Sequence, residues 1–164
     1  MRILGLDPGL NITGYGLLAK TPRTTAPKLL EGGVVRGGGS DEDLPFRLRE
    51  IHHGIAEIIA AFSPTAVAIE QLYSHYEHPR TSILMGHARG VIVLAAALAR
   101  VPVFSYSATQ IKKTLTGNGR APKPQMQQAI QRELRLSTLP EPADVADALA
   151  IAICHFYVGK EGRS

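Results

Sequence analysis

Four acidic side chains are the residues of this sequence whose types and spacing are best suited to chemistry. Asp7 ends the apolar stretch ILGLD, and Glu70 ends the apolar stretch VAIE. Asp144 and Asp147 are three residues apart, so they share one face if their segment is helical. Carboxylates that converge repel one another unless a cation lies between them, and hard oxygen ligands suit Mg²⁺ or Mn²⁺. Two such ions, about 4 Å apart, support phosphodiester hydrolysis, which is the chemistry this set predicts.

Taken singly, these acids also have ordinary structural explanations. Asp7 could cap the turn that Pro8 and Gly9 form, and Glu70 could be a surface residue at the end of a strand. Asp144 could be stabilised by the dipole of a helix that begins just before it. The joint pattern is harder to explain in this way, because each acid ends or begins an apolar segment. The set therefore favours a functional site over separate structural roles.

The apolar segments predict an α/β fold: three strands, then helix, strand, helix and strand, then further helices. The first three strands form an antiparallel meander, and the sheet is mixed with helices on its faces. Ligands of such sheets lie at the carboxyl ends of the strands, where Asp7 and Glu70 are expected. The predicted strands are residues 2–7, 13–20, 28–37, 65–71 and 101–106, and the predicted helices are residues 44–62, 81–100, 109–115, 125–136 and 142–158.

Length and composition fit one folded domain. The chain has 164 residues, 45% of them hydrophobic, and we expect a single domain over residues 1–158 with a short tail at 159–164. The single cysteine, Cys154, excludes an internal disulfide and a cysteine-based zinc site, which fits a reducing cytoplasm. Residues 1–20 lack the apolar core of a signal peptide. The apolar run at residues 90–99 is too short to span a bilayer, so it predicts a buried helix and no membrane association.

Positive charge is concentrated in one region. The chain carries a formal net charge of +4, and residues 109–135 hold six basic residues against one acidic residue, a net of +5. A compact basic region attracts the phosphate backbone of nucleic acids. The alternative is an ordinary solvated helix face with surface lysines, and charge alone does not separate the two.

Four stretches, taken together and in this order, resemble a known family. GLDPGLNITGYG, AIEQ, GHARGV and DVADALAIAICH are similar to motifs of the RuvC-type Holliday-junction resolvases, the crossover junction endodeoxyribonucleases of bacteria. The resemblance implies an RNase H-like fold with a mixed five-stranded sheet. It also implies a homodimer that nicks two strands of like polarity in a four-way DNA junction, leaving 5′-phosphate and 3′-hydroxyl ends. Further implications are two Mg²⁺ or Mn²⁺ ions per subunit and the branch-migration motor RuvAB as a partner.

The same resemblance assigns roles to individual residues. The catalytic and metal-binding acids of the family fall on the four carboxylates already singled out, Asp7, Glu70, Asp144 and Asp147. Its aromatic residue, which acts on bases at the junction centre, falls on Tyr73. Its DNA-contacting basic residues fall on Lys112 and Lys123.

Further DNA contacts are predicted around these positions. Lys113 belongs to the basic region, and Arg120 lies in the stretch GNGRAPKP, which we expect to be a loop. Lys123 stands between two prolines in the same stretch. Arg80 follows Tyr73 in a loop that also holds His75, Tyr76 and His78; this loop suits nucleic acid but could equally be a generic polar loop. The stretch GHARGV implies a dimerisation helix, the alternative being a core helix closely packed at its two glycines.

Three other functions remain open at this point. A related nuclease could act on RNA–DNA hybrids or structured RNA. The GLDPG turn also resembles the phosphate-binding turn of actin-like ATPases and sugar kinases, a class that needs two such domains and a longer chain. Finally, the protein could bind junctions without cleaving them, which the four intact acids argue against.

Overall fold

Five strands form one mixed sheet in the order β3-β2-β1-β4-β5. The computed structural model describes residues 1–22, 25–39, 41–73 and 78–159, so all but the first residue of the predicted tail lies outside it. Strands β1 to β3 are antiparallel, as predicted, and β4 and β5 run parallel to β1. The strands are β1 Arg2–Asp7, β2 Ile12–Ala19, β3 Lys28–Arg36, β4 Ala66–Glu70 and β5 Val103–Tyr106.

Helices cover both faces of this sheet, which confirms the predicted α/β architecture. Helices α1 and α2 enclose one apolar core against the sheet, and α3, α4 and α5 enclose a second core on the opposite face. The helices are α1 Leu44–Phe62, α2 Pro79–Leu98, α3 Ala108–Thr116, α4 Lys123–Leu134 and α5 Ala143–Val158. The two cores fix which strand residues face which helices.

The alternation of side chains along strand β1 shows on which face of the sheet Asp7 lies. Leu4 and Leu6 are fully buried in the core under α1 and α2, whereas Ile3 is buried in the core under α5. Side chains of a strand alternate between the two faces, so Gly5 and Asp7 belong to the face of Ile3. Asp7 therefore lies on the α5 side of the sheet.

Helix α5 lies unusually close to β1 and β2 because glycines leave room for it. A Cβ atom on Gly5 would overlap the carbonyl oxygen of Ala148 and lie 2.8 Å from the Cβ of Ala152. A Cβ on Gly14 would overlap the Asp144 carbonyl, again a backbone atom of α5. The helix backbone thus rests directly on the strands, and side chains in the first turns of α5 come down to the sheet.

The far end of α5 is fixed by a buried polar contact. His155 is 2% exposed, and its Nδ1 lies 2.6 Å from the hydroxyl of Tyr106 at the end of β5. Burial, with a smaller contribution from the charge of Lys20, lowers the pKa of His155, so the ring is neutral at pH 7. Close packing at one end and this hydrogen bond at the other set the position of α5 on the sheet.

Two local expectations are wrong. The segment at residues 90–99 is not wholly buried, because α2 packs through one face only; Leu94 and Leu98 are 49% and 68% exposed. By length and composition α2 would pass as a membrane span, a test that core helices of soluble proteins also pass.

Lys123 is the first residue of α4 and not part of the preceding loop, since a proline beside it is compatible with the first turn of a helix.

Substituting Gly5 by alanine should destabilise the protein by about 2–3 kcal/mol, because the new methyl group meets helix backbone that cannot rotate away. Urea denaturation of Gly5→Ala against the wild type measures this. Gly39→Ala is the matched control, since a Cβ there meets nothing within 4 Å, and it should change stability by no more than about 0.5 kcal/mol. Equal stability of the two variants would contradict the packing argument.

Candidate active site

The register of β1 and β4 brings the first two acids side by side. The strands are parallel, and Leu6 pairs with Ile69, so the next residues, Asp7 and Glu70, are neighbours at the carboxyl end of the sheet. Both residues are half-buried. The two carboxylates are adjacent because β1 and β4 are neighbours in the sheet.

The first turns of α5 bring the other two acids to the same edge. Asp144 lies in the first turn of the helix, and Asp147 follows one turn later. Asp147 lines a cleft of about 330 Å³ together with Asp7 and Glu70. Asp144 lines a second, adjoining cleft of about 440 Å³, and its charge still raises the pKa of Asp7 and of Asp147. Three of the four predicted acids therefore line one cleft, and the fourth, Asp144, lines another.

Two lysines form the opposite wall of the first cleft. Lys112 comes from α3 and Lys123 from the first turn of α4. Each influences one acid, since the charge of Lys112 lowers the pKa of Glu70 and the charge of Lys123 lowers that of Asp147. The first cleft thus has an acidic wall built on β1, β4 and α5 and a basic wall built on α3 and α4.

Mutual repulsion among the acids is strongest at Asp7. Burial raises the pKa of Asp7 to about 7, with further contributions from the charges of Asp147, Glu70 and Asp144, in that order. In the absence of a cation, the carboxyl group is about half protonated at pH 7. An opposite charge in the cleft would return it to the carboxylate form.

Burial is also the main reason why the pKa values of Glu70 and Asp147 are raised. At Glu70 the charge of Asp147 adds to this effect and Lys112 opposes it. At Asp147 the charge of Lys123 opposes it and that of Asp144 adds to it. The two lysines therefore offset only part of the negative charge.

The turn after Asp7 is closed by another residue. The backbone N–H of Gly9 donates to the Thr13 hydroxyl over 3.3 Å, and that hydroxyl donates to the Gly9 carbonyl over 2.8 Å. Thr13 is completely buried. The alternative that Asp7 is simply a turn cap therefore finds no support in the part of the chain that the structure describes, where this role belongs to Thr13.

Other predicted DNA-contacting residues lie outside the first cleft. Tyr73 is 57% exposed, and its hydroxyl donates to the Gln71 side chain over 2.9 Å. Arg80 is exposed in the first turn of α2, Lys113 is exposed on α3, and Arg120 is exposed between α3 and α4. The predicted contacts at His75 and Tyr76 lie outside the described residues, whereas His78 is described and exposed.

Two arginines beside the acids were not singled out from the sequence. Arg89 on α2 donates from Nε to the Glu70 carbonyl over 3.2 Å and from Nη2 to the Ser105 hydroxyl over 2.8 Å. Arg47 on α1 lines the second cleft and donates to the side-chain oxygen of Asn11. The position of Arg89 inside GHARGV was an available signal, but Arg47 looks like any polar position of an amphipathic helix.

The donor set of the first cleft fits divalent metal ions of the Mg²⁺ type. Its acids are hard oxygen donors from separate segments, and burial together with the charges of the other three acids raises the pKa of Asp7, an effect that a bound cation would oppose. Within the described ranges, no three His, Cys, Asp or Glu side chains come close enough together to hold a metal ion unaided. Mg²⁺ sites often use few carboxylates and complete their ligand shell with water and substrate phosphates, so the open cleft agrees with this chemistry.

Comparison with known proteins identifies the family. The model of the RuvC family, crossover junction endodeoxyribonuclease RuvC, matches residues 3–155. The chain belongs to the RuvC family. It is 56% identical to a crossover junction endodeoxyribonuclease RuvC of Rhodopirellula baltica, over 95% of this chain and 86% of that protein. It is 43% identical to the RuvC of Legionella pneumophila, over 95% of this chain and 87% of the relative.

Solved RuvC structures support the same assignment. The Thermus thermophilus RuvC structure matches with a TM-score of 0.87 and 34% identity, over 95% of this chain and 93% of that one. T. thermophilus RuvC in complex with a Holliday junction substrate matches with a TM-score of 0.88 and 34% identity, over 96% and 93%. The RNase H-like fold implied by the resemblance is confirmed. Membership of this nuclease family also implies dependence on a divalent metal ion.

In EDTA, Asp7→Asn should be more stable than the wild type at pH 8 by about 2–4 kcal/mol, since one pKa unit corresponds to about 1.4 kcal/mol. The folded state holds the Asp7 proton up to about pH 7, whereas the unfolded state loses it near the ordinary aspartate pKa of 3.8. Wild-type stability therefore falls as the pH rises from 3.8 to about 7, relative to that of Asp7→Asn. The difference in stability between the two proteins should disappear near pH 3.8.

Urea denaturation at several pH values measures this difference, and the exposed Asp41→Asn serves as the control, with no expected change. Added Mg²⁺ or Mn²⁺ should stabilise the wild type and Asp41→Asn more than Asp7→Asn. The same pH dependence in all three proteins, or equal stabilisation by metal, would contradict the assignment of Asp7.

Proposed function

We propose that this chain resolves four-way DNA junctions in recombination and repair, with residues 1–158 forming the nuclease domain. It would nick two strands of like polarity symmetrically and leave 5′-phosphate and 3′-hydroxyl ends. The observation that carries this proposal is the first cleft, in which Asp7, Glu70 and Asp147 face Lys112 and Lys123. Five separate elements supply these side chains in a chain that belongs to the RuvC family.

The acids would hold the metal, and the lysines would hold the substrate. Asp7 would be the central ligand, and Glu70, Asp144 and Asp147 would complete a site for two Mg²⁺ or Mn²⁺ ions. When bound, such ions activate water for attack on phosphorus and stabilise the leaving oxygen. The protein's own part is to hold these carboxylates at one end of a rigid sheet, in a cleft that excludes part of the bulk water.

Positioning of the DNA falls to the basic and aromatic residues. Lys112 and Lys123 would contact phosphates inside the cleft, which fixes the strand without reading its sequence. Lys113, Arg120 and Arg80 would contact the flanking backbone from outside the cleft. The exposed ring of Tyr73, three residues after Glu70, offers a surface on which a base opened at the junction centre can stack.

Symmetric cleavage requires a dimer, and α2 offers the surface for it. Ile83, His87, Gly90, Leu94 and Leu98 are exposed and follow one another at spacings of three or four residues, so they form one stripe along the helix. A Cβ on Gly90 would meet nothing within 4 Å, which does not support the alternative of a tightly packed core helix. We propose that a second copy of the chain covers this stripe and that two-fold symmetry supplies two active sites.

The wider context follows from the family. Since bacterial DNA is in the cytoplasm, we place the enzyme there. The branch-migration motor RuvAB, which the family implies, is its proposed partner, and no membrane is involved.

Cleavage of a synthetic four-way junction, in Mg²⁺, Mn²⁺ or EDTA, tests the proposed function. The wild type should produce paired symmetric nicks only with metal. Asp7→Asn should lower the rate at least about 100-fold, because removing one carboxylate from a metal site removes transition-state stabilisation of about 3 kcal/mol or more. The exposed Asp41→Asn should cleave like the wild type.

Duplex and RNA–DNA hybrid substrates complete this experiment. Junction binding without cleavage in any metal would leave a binding protein and refute the nuclease proposal. Cleavage of the hybrid but not of the junction would keep the metal chemistry and change the substrate to RNA-containing duplexes.

Replacing Leu94 by glutamate should convert a dimer to a monomer, because a charge would be buried in the proposed interface. Sedimentation velocity over a concentration series measures the change. Leu30→Glu is the matched control, an apolar residue of β3 with 40% exposure that should leave the dimer intact. A wild type that sediments as a monomer at all concentrations would contradict the interface.

A further inference from the structure

Arg47 has hydrogen-bonding capacity that the described fold leaves unused. A guanidinium carries five N–H donors, and this one has a single described hydrogen bond, from Nη2 to Asn11 Oδ1. Its Nε is buried without a partner among the described residues. Arg47 also forms no ion pair with an acidic residue that the structure describes, unlike Arg49 two residues later, which pairs with Glu50 at 3.0 Å. Unpaired buried donors cost about 1–3 kcal/mol, so a structural role alone explains Arg47 poorly.

The surroundings of Arg47 suggest what it binds. The second cleft, of about 440 Å³, is lined by Arg47, the turn at Asn11, Thr81 in the first turn of α2, and Asp144. Asp144 lies one turn before Asp147 on the same face of α5, and Asp147 lines the first cleft. A group bound beside Arg47 would therefore be next to the group bound in the first cleft.

Charge decides the chemical class of that group. Arg47 contributes a positive charge to the lining of the second cleft and Asp144 a negative one. A guanidinium presents paired N–H donors that match phosphate oxygens. Lys112 and Lys123 line the first cleft and are not among the residues that line the second. A DNA strand that crosses the four carboxylates would thus meet cations on both sides if Arg47 also contacts its backbone.

We propose that Arg47 binds a backbone phosphate of the cleaved strand, next to the scissile phosphate and on the side of the acids opposite the two lysines. This inference rests on the proposed function and adds a second phosphate subsite to it. The contact is to the backbone, so it positions the strand and does not read sequence. Arg47 would act by holding the neighbouring nucleotide and thereby the register of the scissile bond.

The salt dependence of junction binding tests this inference, measured in EDTA so that no cleavage occurs. Removing one phosphate-binding cation should reduce the slope of log K against log [salt] by about 0.9, hence by about 1.8 for a dimer with two copies of Arg47. Arg47→Gln should show this reduction and bind about tenfold more weakly at low salt. Arg47→Lys should retain most of the slope, and Arg49→Gln, on the exposed side of the same helix, should match the wild type.

A structural role for Arg47 would give a different result. Asn11→Ala removes the described hydrogen-bond partner of Arg47 but leaves its charge, so it should keep the wild-type slope. If Arg47→Gln keeps the wild-type slope and, like Asn11→Ala, changes only thermal stability, the inference is refuted. Cleavage of the junction by the wild type would in that case leave the proposed function intact. If the wild type itself neither binds nor cleaves junctions, the proposed function fails first and the inference falls with it.

Discussion

The direct contact between the backbone of α5 and the glycines of β1 and β2 is the constraint on which the rest of this structure depends. Gly5 and Gly14 leave space that the carbonyls of Ala148 and Asp144 occupy. With a side chain in either place, α5 would have to move away from the sheet, and Asp144 would move with it. The same contact that closes the apolar core therefore sets how close the acids of α5 come to Asp7.

Burial of the acids close to one another raises the pKa of three of them, and to different extents. The pKa of Asp7 rises to about 7 because this carboxyl is the most enclosed and feels the other three acids. Glu70 and Asp147 are each relieved by one lysine, from α3 and α4 respectively. Among the described residues, no lysine lowers the pKa of Asp7 in this way. Asp7 is therefore the position at which a divalent cation would relieve most repulsion. Stability of the apo fold and affinity for metal are thus opposed at one residue.

The sequence predicted what depends on periodicity and chain order, and it missed what depends on orientation. The strand and helix order, the mixed sheet and the convergence of Asp7 and Glu70 follow from apolar runs that end in acids. The exposure of α2 could not be predicted, because an apolar run looks the same whether a neighbouring helix or a second chain covers it. Nor could Arg47 be found, since the periodicity of α1 does not show that Arg47 and Asp144 line the same cleft.

Arg89 joins α2 to the strand ends that carry the candidate active site. Its guanidinium spans from α2 to the carboxyl ends of β4 and β5, where it holds the Glu70 carbonyl and the Ser105 hydroxyl. The opposite side of α2 carries the exposed apolar stripe that we assign to the dimer. A shift of α2 upon association would act on Glu70 through this side chain, because the strand end and the helix are joined by hydrogen bonds as well as by apolar packing. The helix that we propose for dimerisation is therefore also the helix whose Arg89 holds the carboxyl end of β4, where the proposed metal ligand Glu70 lies.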